Sequence, residues 1–364
     1  MPAGPYLQWS RCIATAHKGP SEELHVTEVR KLTRDEFDRL VGEANIVVPI
    51  EQTLVWADYQ QTVEGRTFWD CLALARNGED VAYVLFIDYE THGYHYLRAH
   101  HGPMWLEAPS AEEESEAMEA LVAYVRKNDR HVAFMRLAVD HELSMSCPTL
   151  SSIPYDTTVL VDLTGGDDEI LAHMKARGRR DVRKALREAP VTCADETVRA
   201  LASFDEYYQI MVETAERDGF APAPKRDYED MIKLLGPEHC RVFAGRLEDG
   251  RLCTWSICTI SGTRATYYYA ASSSETRRGF VTDKLFYFAC CELGRLGCTT
   301  FDLMGIGSDF SPKLKGLNTF KTKFANEVTH VAPDRDIPVK GGFYKSLQMG
   351  KRVIQAVRNR GAND

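Results

Sequence analysis

From Phe68 to His100 the chain reads FWDCLALA, Arg76-Asn77-Gly78-Glu79-Asp80, VAYVLFIDYE, Thr91-His92-Gly93, YHYLRAH. Three apolar runs broken by two turn signals predict three consecutive strands, the first pair joined by an Asn-Gly hairpin. Ser110 to Lys127 follows, with Met118, Leu121, Val122 and Val125 at helical spacing. HVAFMRLAV, from His131, then predicts a buried strand. About 170 residues downstream the same order returns. Arg241–Arg246 is a strand, Glu248-Asp249-Gly250 a hairpin turn, and LCTWSICTI, Ser261-Gly262-Thr263 and RATYYYAA complete the meander. A helix over about Thr282–Leu296, closed by Gly297, leads to TTFDLM. The chain therefore reads as two copies of one mixed α/β (α+β) module, with one large mixed sheet as the alternative. The first is expected over 26–155 with a returning C-terminal segment at about 333–364, the second over 156–332.

With 364 residues, and at roughly 100–200 residues per domain, two domains fit the length. A hydrophobic fraction of 44% with 27% charged residues excludes a disordered or fibrous chain. No run approaches the ~18–20 apolar residues that span a bilayer. The N-terminal MPAGPYLQW lacks the basic and apolar regions of a secretory signal. The ten cysteines form no Cys-x-x-Cys, and reduced thiols in a cytoplasmic protein are expected. The net charge of −9 argues against wholesale coating of nucleic acid and makes local basic stretches informative.

Three such stretches stand out. Lys175 to Arg187 holds seven basic residues and one acid, and Lys175, Arg179, Arg183 and Arg187 step by four along one helical face. Leu171, Met174, Val182 and Ala185 fall on another face, and Asp167, Asp168 and Glu169 mark the expected helix start. A solvated amphipathic face accounts for this pattern as well as a phosphate-binding ridge does. Ser311 to Phe324 carries Lys313, Lys315, Lys321 and Lys323 with Phe320 and Phe324 one turn apart. There the bland reading is a packed connection with solvated lysines. The functional reading is that Lys321, beside a core-type phenylalanine, is partly desolvated and stabilises an oxyanion. The tail, Phe343 to Arg360, suits docking on its own domain better than lying on an anionic membrane. His92 and His95 sit in a strand and turn where their spacing does not bring two imidazoles together, His100-His101 reads as strand-end chemistry, and no metal site is expected. No Walker loop, dinucleotide fingerprint or nucleophile elbow is present.

Each module resembles the N-acetyltransferase (GNAT) fold. Thr276-Arg277-Arg278-Gly279-Phe280-Val281 stands where that fold has its phosphate-cradling turn, but matches it only at one glycine. Seven segments in order resemble the Fem family of aminoacyl-tRNA-dependent transferases, which build peptide branches on peptidoglycan precursors. They are Pro49 to Tyr59 with Glu51, Gln52 and Trp56-Ala57; His101-Gly102-Pro103; Lys175 to Ala185; Tyr207 to Tyr228; Tyr267 to Ser272; Phe301-Asp302-Leu303-Met304-Gly305-Ile306; and Leu317 to Phe324 with Phe320-Lys321. The resemblance covers roughly residues 30 to 345 and implies two tandem GNAT-like domains. Gly165 to Gly236 leaves no room for the long coiled-coil arm of some members, so the compact FemX type fits best.

The resemblance implies transfer of a small amino acid (Ala, Ser or Gly) from aminoacyl-tRNA to a stem-peptide amine of a UDP-linked or lipid-linked precursor. No cofactor is implied beyond the tRNA co-substrate. Lys321 with Phe320 would be catalytic. Tyr228 and Tyr269 match acceptor-site tyrosines; Gln60 stands where compact members have a phosphate-binding lysine, and Pro224, with Lys225 and Arg226 nearby, where they have an arginine. Lys175, Arg179, Arg183, Lys313, Lys315 and Lys323 are the tRNA-phosphate candidates. A monomer is expected, cytoplasmic or touching the inner face of the membrane. A small-molecule or antibiotic-type amine acceptor and an acetyl-CoA N-acetyltransferase are the alternatives.

Overall fold

The structure, a computed structural model, describes residues 27–275 and 279–361, apart from the side chains of 354–361. The N-terminal reading, Cys12 and Thr276, Arg277 and Arg278 of the turn lie outside the described residues.

Two sheets carry the fold. One runs Thr27–Leu32, Arg66–Arg76, Glu79–Thr91, Tyr94–Ala99, Val132–Ala138 and Asp334–Pro338 in spatial order, with Met104–Trp105 beside Glu79–Thr91. The other runs Leu160–Asp162, Thr300–Asp302, Arg264–Ser272, Leu252–Ser261, Cys240–Arg246 and Thr192–Asp195. Each holds one parallel pair in an otherwise antiparallel set: Tyr94–Ala99 with Val132–Ala138, and Arg264–Ser272 with Thr300–Asp302. Parallel neighbours need a crossover. Helix Ala111–Asn128 supplies it in the first sheet and helix Val281–Arg295 in the second. These are tandem GNAT-type modules, and among the described residues there is no long coiled-coil arm.

Local chemistry explains the elements. Asn77 and Gly78 both take positive φ, 54° and 84°, as a two-residue hairpin turn between right-twisted strands requires. Ser110 caps helix Ala111–Asn128 by accepting from the Glu113 amide, and Glu113 reciprocates. The sequence did not point to strand Thr27–Leu32 or helices Arg34–Glu43, Asp205–Asp218 and Lys225–His239.

One expectation is corrected. The helix foreseen from Asp167 through Arg187 is two helices, Asp167–His173 and Ala176–Glu188, separated where Met174 is extended at ψ 156°. Packing overrides the continuous pattern. Ile170, Met174 and Val182 all enter the second module's core, and Gly178 lies against the Lys323 carbonyl, where a Cβ would overlap it.

Helix Leu54–Gln60 joins the modules. Its Trp56 and Tyr59, with Ile50 and Val63, share one apolar cluster with Tyr207, Tyr228, Trp255 and Ile257 of the second module. Burying a large side chain contributes about 1.5–3 kcal/mol, so this helix holds the two sheets in one relative placement.

The returning strand Asp334–Pro338 closes the first sheet. Cross-strand partners Arg98 and Arg136 place two like charges side by side. The returning strand answers both. Asp336, fully buried, accepts from Arg136 Nε at 2.7 Å and Nη2 at 3.0 Å. Asp334, two residues earlier on the same face, accepts from Arg98 Nη2 at 3.2 Å. Asp336 also accepts from the Leu150 amide at 3.0 Å and the Tyr344 hydroxyl at 2.9 Å. Through Tyr344, the C-terminal helix Gly341–Gly361 docks on this sheet. Removing one partner of a buried pair costs about 3–5 kcal/mol. Asp336→Ala should therefore lower the urea midpoint by that equivalent, with an unchanged slope.

Candidate active site

The two strands of the second module's parallel pair touch only over Arg264–Thr266 and Thr300–Asp302. Beyond that they part. Tyr267, Tyr268 and Tyr269 line one side, and Leu303 to Ile306 line the other, bonded to Thr157 and Val159. Lys321 ends the short helix Lys315–Lys321 below this opening. Its ammonium donates to the Gly305 carbonyl at 2.9 Å, and the Met304 carbonyl lies at 3.5 Å. Among the described residues no carboxylate pairs with it. The nearby Asp302 is engaged by Arg264 and the Thr158 hydroxyl. Burial pushes the Lys321 ammonium down to about 8, with Asp302 opposing.

Tyr155 packs its ring against Gly305, where a Cβ could not fit, and its hydroxyl lies 3.2 Å from His101 Nε2. That contact crosses to the first module. His100 and His101 follow Ala99, the last residue paired to Val132–Ala138, so they stand where that module's parallel strands part. His100 Nδ1 is 3.3 Å from Glu51 and its Nε2 is 3.9 Å from Asp334. The rings of Trp56 and Tyr268 meet at 5.2 Å beside them. Burial pushes the Asp334 carboxyl up, but His100 and Arg98 more than offset it and hold it below the ordinary range. Burial and the adjacent His100 push the His101 imidazole down, with Glu51 opposing.

Of the residues singled out in the sequence, Tyr228 and Tyr269 come together, with ring centroids 4.9 Å apart. Tyr228 is buried and stacks on Phe204 in the core. Gln60 is buried and accepts from Arg66 Nη1 at 2.7 Å and the Tyr89 hydroxyl at 3.1 Å. Arg66, which the sequence did not single out, thus places a guanidinium beside Gln60 and over the Tyr89 ring. Arg226 instead is exposed and pairs with Asp230. Phe320 packs on Phe286 and Phe324 as part of the core.

The basic ridge is thinner than its sequence. Arg179 turns back onto the carbonyls of Ala172 and Met174, ending the preceding helix. Lys323 is not a surface cation: it is buried between Asp283 and Asp181. Desolvation makes a buried lysine stable only with such partners. Lys175 is half-buried, and Arg183, Lys313 and Lys315 remain exposed. Lys184 adds a cation over the Phe280 ring at 4.6 Å, at the start of helix Val281–Arg295. Glu51, His100, Tyr155, Asp302 and Asp334 were not candidates; only the segments Pro49 to Tyr59, His101-Gly102-Pro103 and Phe301 to Ile306 carried a signal.

With this geometry in view, the acetyltransferase (GNAT) domain family matches residues 172–316. A comparison with curated protein sequences found no match. Among solved structures, the crystal structure of FemX is similar at TM-score 0.67 and 17% identity, covering 87% of this chain and 99% of that one. A conserved protein of unknown function from Bacteroides thetaiotaomicron is similar at TM-score 0.52 and 8% identity, covering 85% and 99%. A tandem GNAT protein from the clavulanic acid biosynthesis pathway is similar at TM-score 0.51 and 10% identity, covering 86% and 98%. At these identities the likeness is one of fold, and the fold is that of tandem GNAT proteins. No helix among the described residues is long and apolar enough to cross a membrane.

A direct titration tests the Lys321 environment. Nitrogen-15 NMR of labelled lysines should show one amine with a midpoint near 8, assigned by its loss in Lys321→Met. Unfolding restores the ordinary 10.5, so between about 8 and 10.5 the unfolded chain binds the extra proton. This group's contribution to stability therefore rises with pH across that window.

Proposed function

We propose that the protein is an aminoacyl-tRNA-dependent aminoacyltransferase. It would move a small amino acid (Ala, Ser or Gly) from tRNA to the amine of a peptidoglycan stem peptide by direct aminolysis. The observation that carries this reading is Lys321: a half-buried ammonium that, among the described residues, is bound only to backbone carbonyls, where the strands of the second module part. A tetrahedral intermediate develops negative charge on the former carbonyl oxygen. An ammonium with no carboxylate partner has attraction left for that oxygen, and low local polarity strengthens it. The ester is already activated, so aminolysis needs neither nucleotide hydrolysis nor a covalent enzyme intermediate.

The likeness in shape to FemX supports the same reading. Exposed Arg183, Lys313 and Lys315 are the remaining candidates for tRNA phosphates, and Lys184 joins them at the helix start. On the acceptor side, Tyr269 stands with Tyr228, and Arg66 supplies a cation where Gln60 alone offers none.

The experiment supplies charged, labelled tRNAs with UDP- and lipid-linked stem-peptide precursors, with an RNase-treated control. Label should reach a precursor only with intact tRNA. Lys321→Met should lower transfer about 10²–10³-fold, the usual effect of deleting an oxyanion donor, while circular dichroism stays unchanged. Full activity in that variant overturns the mechanism. The rate should also fall as pH rises through about 8, because Lys321 loses its proton there. Lys321→Met should lack that limb.

A further inference from the structure

At the junction of the modules, Glu51, His100 and His101 each offer a ligand atom, and these atoms all lie within 4.8 Å of one another. We propose that these three side chains form a binding site for one divalent transition-metal ion of the zinc type. Two imidazoles and one carboxylate are a donor set for zinc, with a fourth position left for water.

Consecutive residues in a strand point to opposite faces. His100 and His101 do not, because His101 takes φ 58° and turns its side chain back. The two rings stand 4.1 Å apart, centroid to centroid, at 78°. A non-glycine residue in that conformation is costly and persists only where its surroundings hold it. Gln52 does the holding. Its side-chain amide donates to the His100 carbonyl at 3.0 Å and its oxygen accepts from the Leu85 amide at 2.8 Å. Gly102 lies so close to Gln52 that any Cβ would collide with it. One turn, Ile50–Gln52, therefore both clamps the histidine loop and delivers the carboxylate.

His101 turns Nε2 to the Tyr155 hydroxyl at 3.2 Å, the kind of outer partner that orients metal-bound histidines, and His100 Nε2 lies 3.9 Å from the Asp334 carboxylate, within ion-pair reach. Glu51 is 5% exposed, and among the described residues no lysine or arginine lies within ion-pair distance of it. A buried carboxylate facing only imidazoles invites a cation. A cavity of about 50 Å³ lined by Arg98, His100, His101, Tyr155 and Asp334 adjoins the cluster, with room for a bound water. Tyr155 stands between the cluster and Lys321: its hydroxyl meets His101, and its ring packs on Gly305, whose carbonyl accepts from Lys321.

The test uses the full chain stripped with chelator. Calorimetric titration with zinc chloride should show one saturable equivalent, and zinc should raise the melting temperature. Cobalt(II) substituted at the site should give visible ligand-field bands without a thiolate charge-transfer band, which separates this site from the cysteines. The double variant His100→Ala/His101→Ala should lose the equivalent. Asp334→Asn should weaken binding about 10–100-fold. Absence of saturable uptake by the wild-type chain overturns the proposal. So does a thiolate band, or uptake undiminished in the double variant. If the double variant does not fold, the wild-type cobalt spectrum decides.

Discussion

The structure depends on the pairing of Arg136 with Asp336. It is fully buried, doubly bonded and made across 200 residues of sequence. Isolated, either charge would be prohibitive in that place. Together they fix the returning strand in register with Val132–Ala138, and register fixes which face every residue presents. Asp334 consequently lands beside Arg98 and His100 rather than on the opposite face. Leu150 and Tyr344 bond to the same carboxylate, so the linker between modules and the C-terminal helix are tied to one point. A single carboxylate thus sets the sheet edge, the linker and one wall of the intermodule cluster.

The second constraint is the placement of helix Leu54–Gln60. Trp56 and Tyr59 belong to the first module in sequence and to the second module's aromatic core in space. Trp56 reaches Tyr268 on the strand that parts from Thr300–Asp302. Both openings, one in each sheet, therefore face a common region. Tyr155 spans it, ring against Gly305 and hydroxyl toward His101. Two weakly similar modules contribute to one candidate site because their strand ends are apposed, not because either carries a complete motif.

The meanders were legible because their signals are local. Asn77-Gly78 and Asp249-Gly250 demand turns, and the apolar runs between them admit little but strands. Helix Ala111–Asn128 was legible from its apolar spacing; the Ser110 cap that starts it was not singled out. The break at Met174 was not, because no proline marks it; packing on Lys323 through Gly178 causes it. For the same reason Lys323 looked like a surface cation, while Asp181 and Asp283, remote in sequence, enclose it. The cluster of Glu51, His100, His101, Tyr155 and Asp334 was hidden for a different reason. Its members come from four separate segments, and His101 faces His100 only through a backbone conformation that no pattern of apolar spacing encodes.

Lys321 shows why position decides what a residue does. Lys321 and Lys323 are two residues apart on one short stretch, and both are taken from water. Lys323 meets two carboxylates and is neutralised, which makes it part of the core. Lys321 meets carbonyl dipoles, with Asp302 held away by Arg264 and Thr158. Dipoles recover less of the lost hydration than a counter-charge does, and the ammonium titrates near 8 as a result. A group left short of negative charge gains most when negative charge appears beside it. Under the aminolysis proposed above, that moment would be the tetrahedral intermediate, and an interaction weak in the resting protein would become strong only in the transition state.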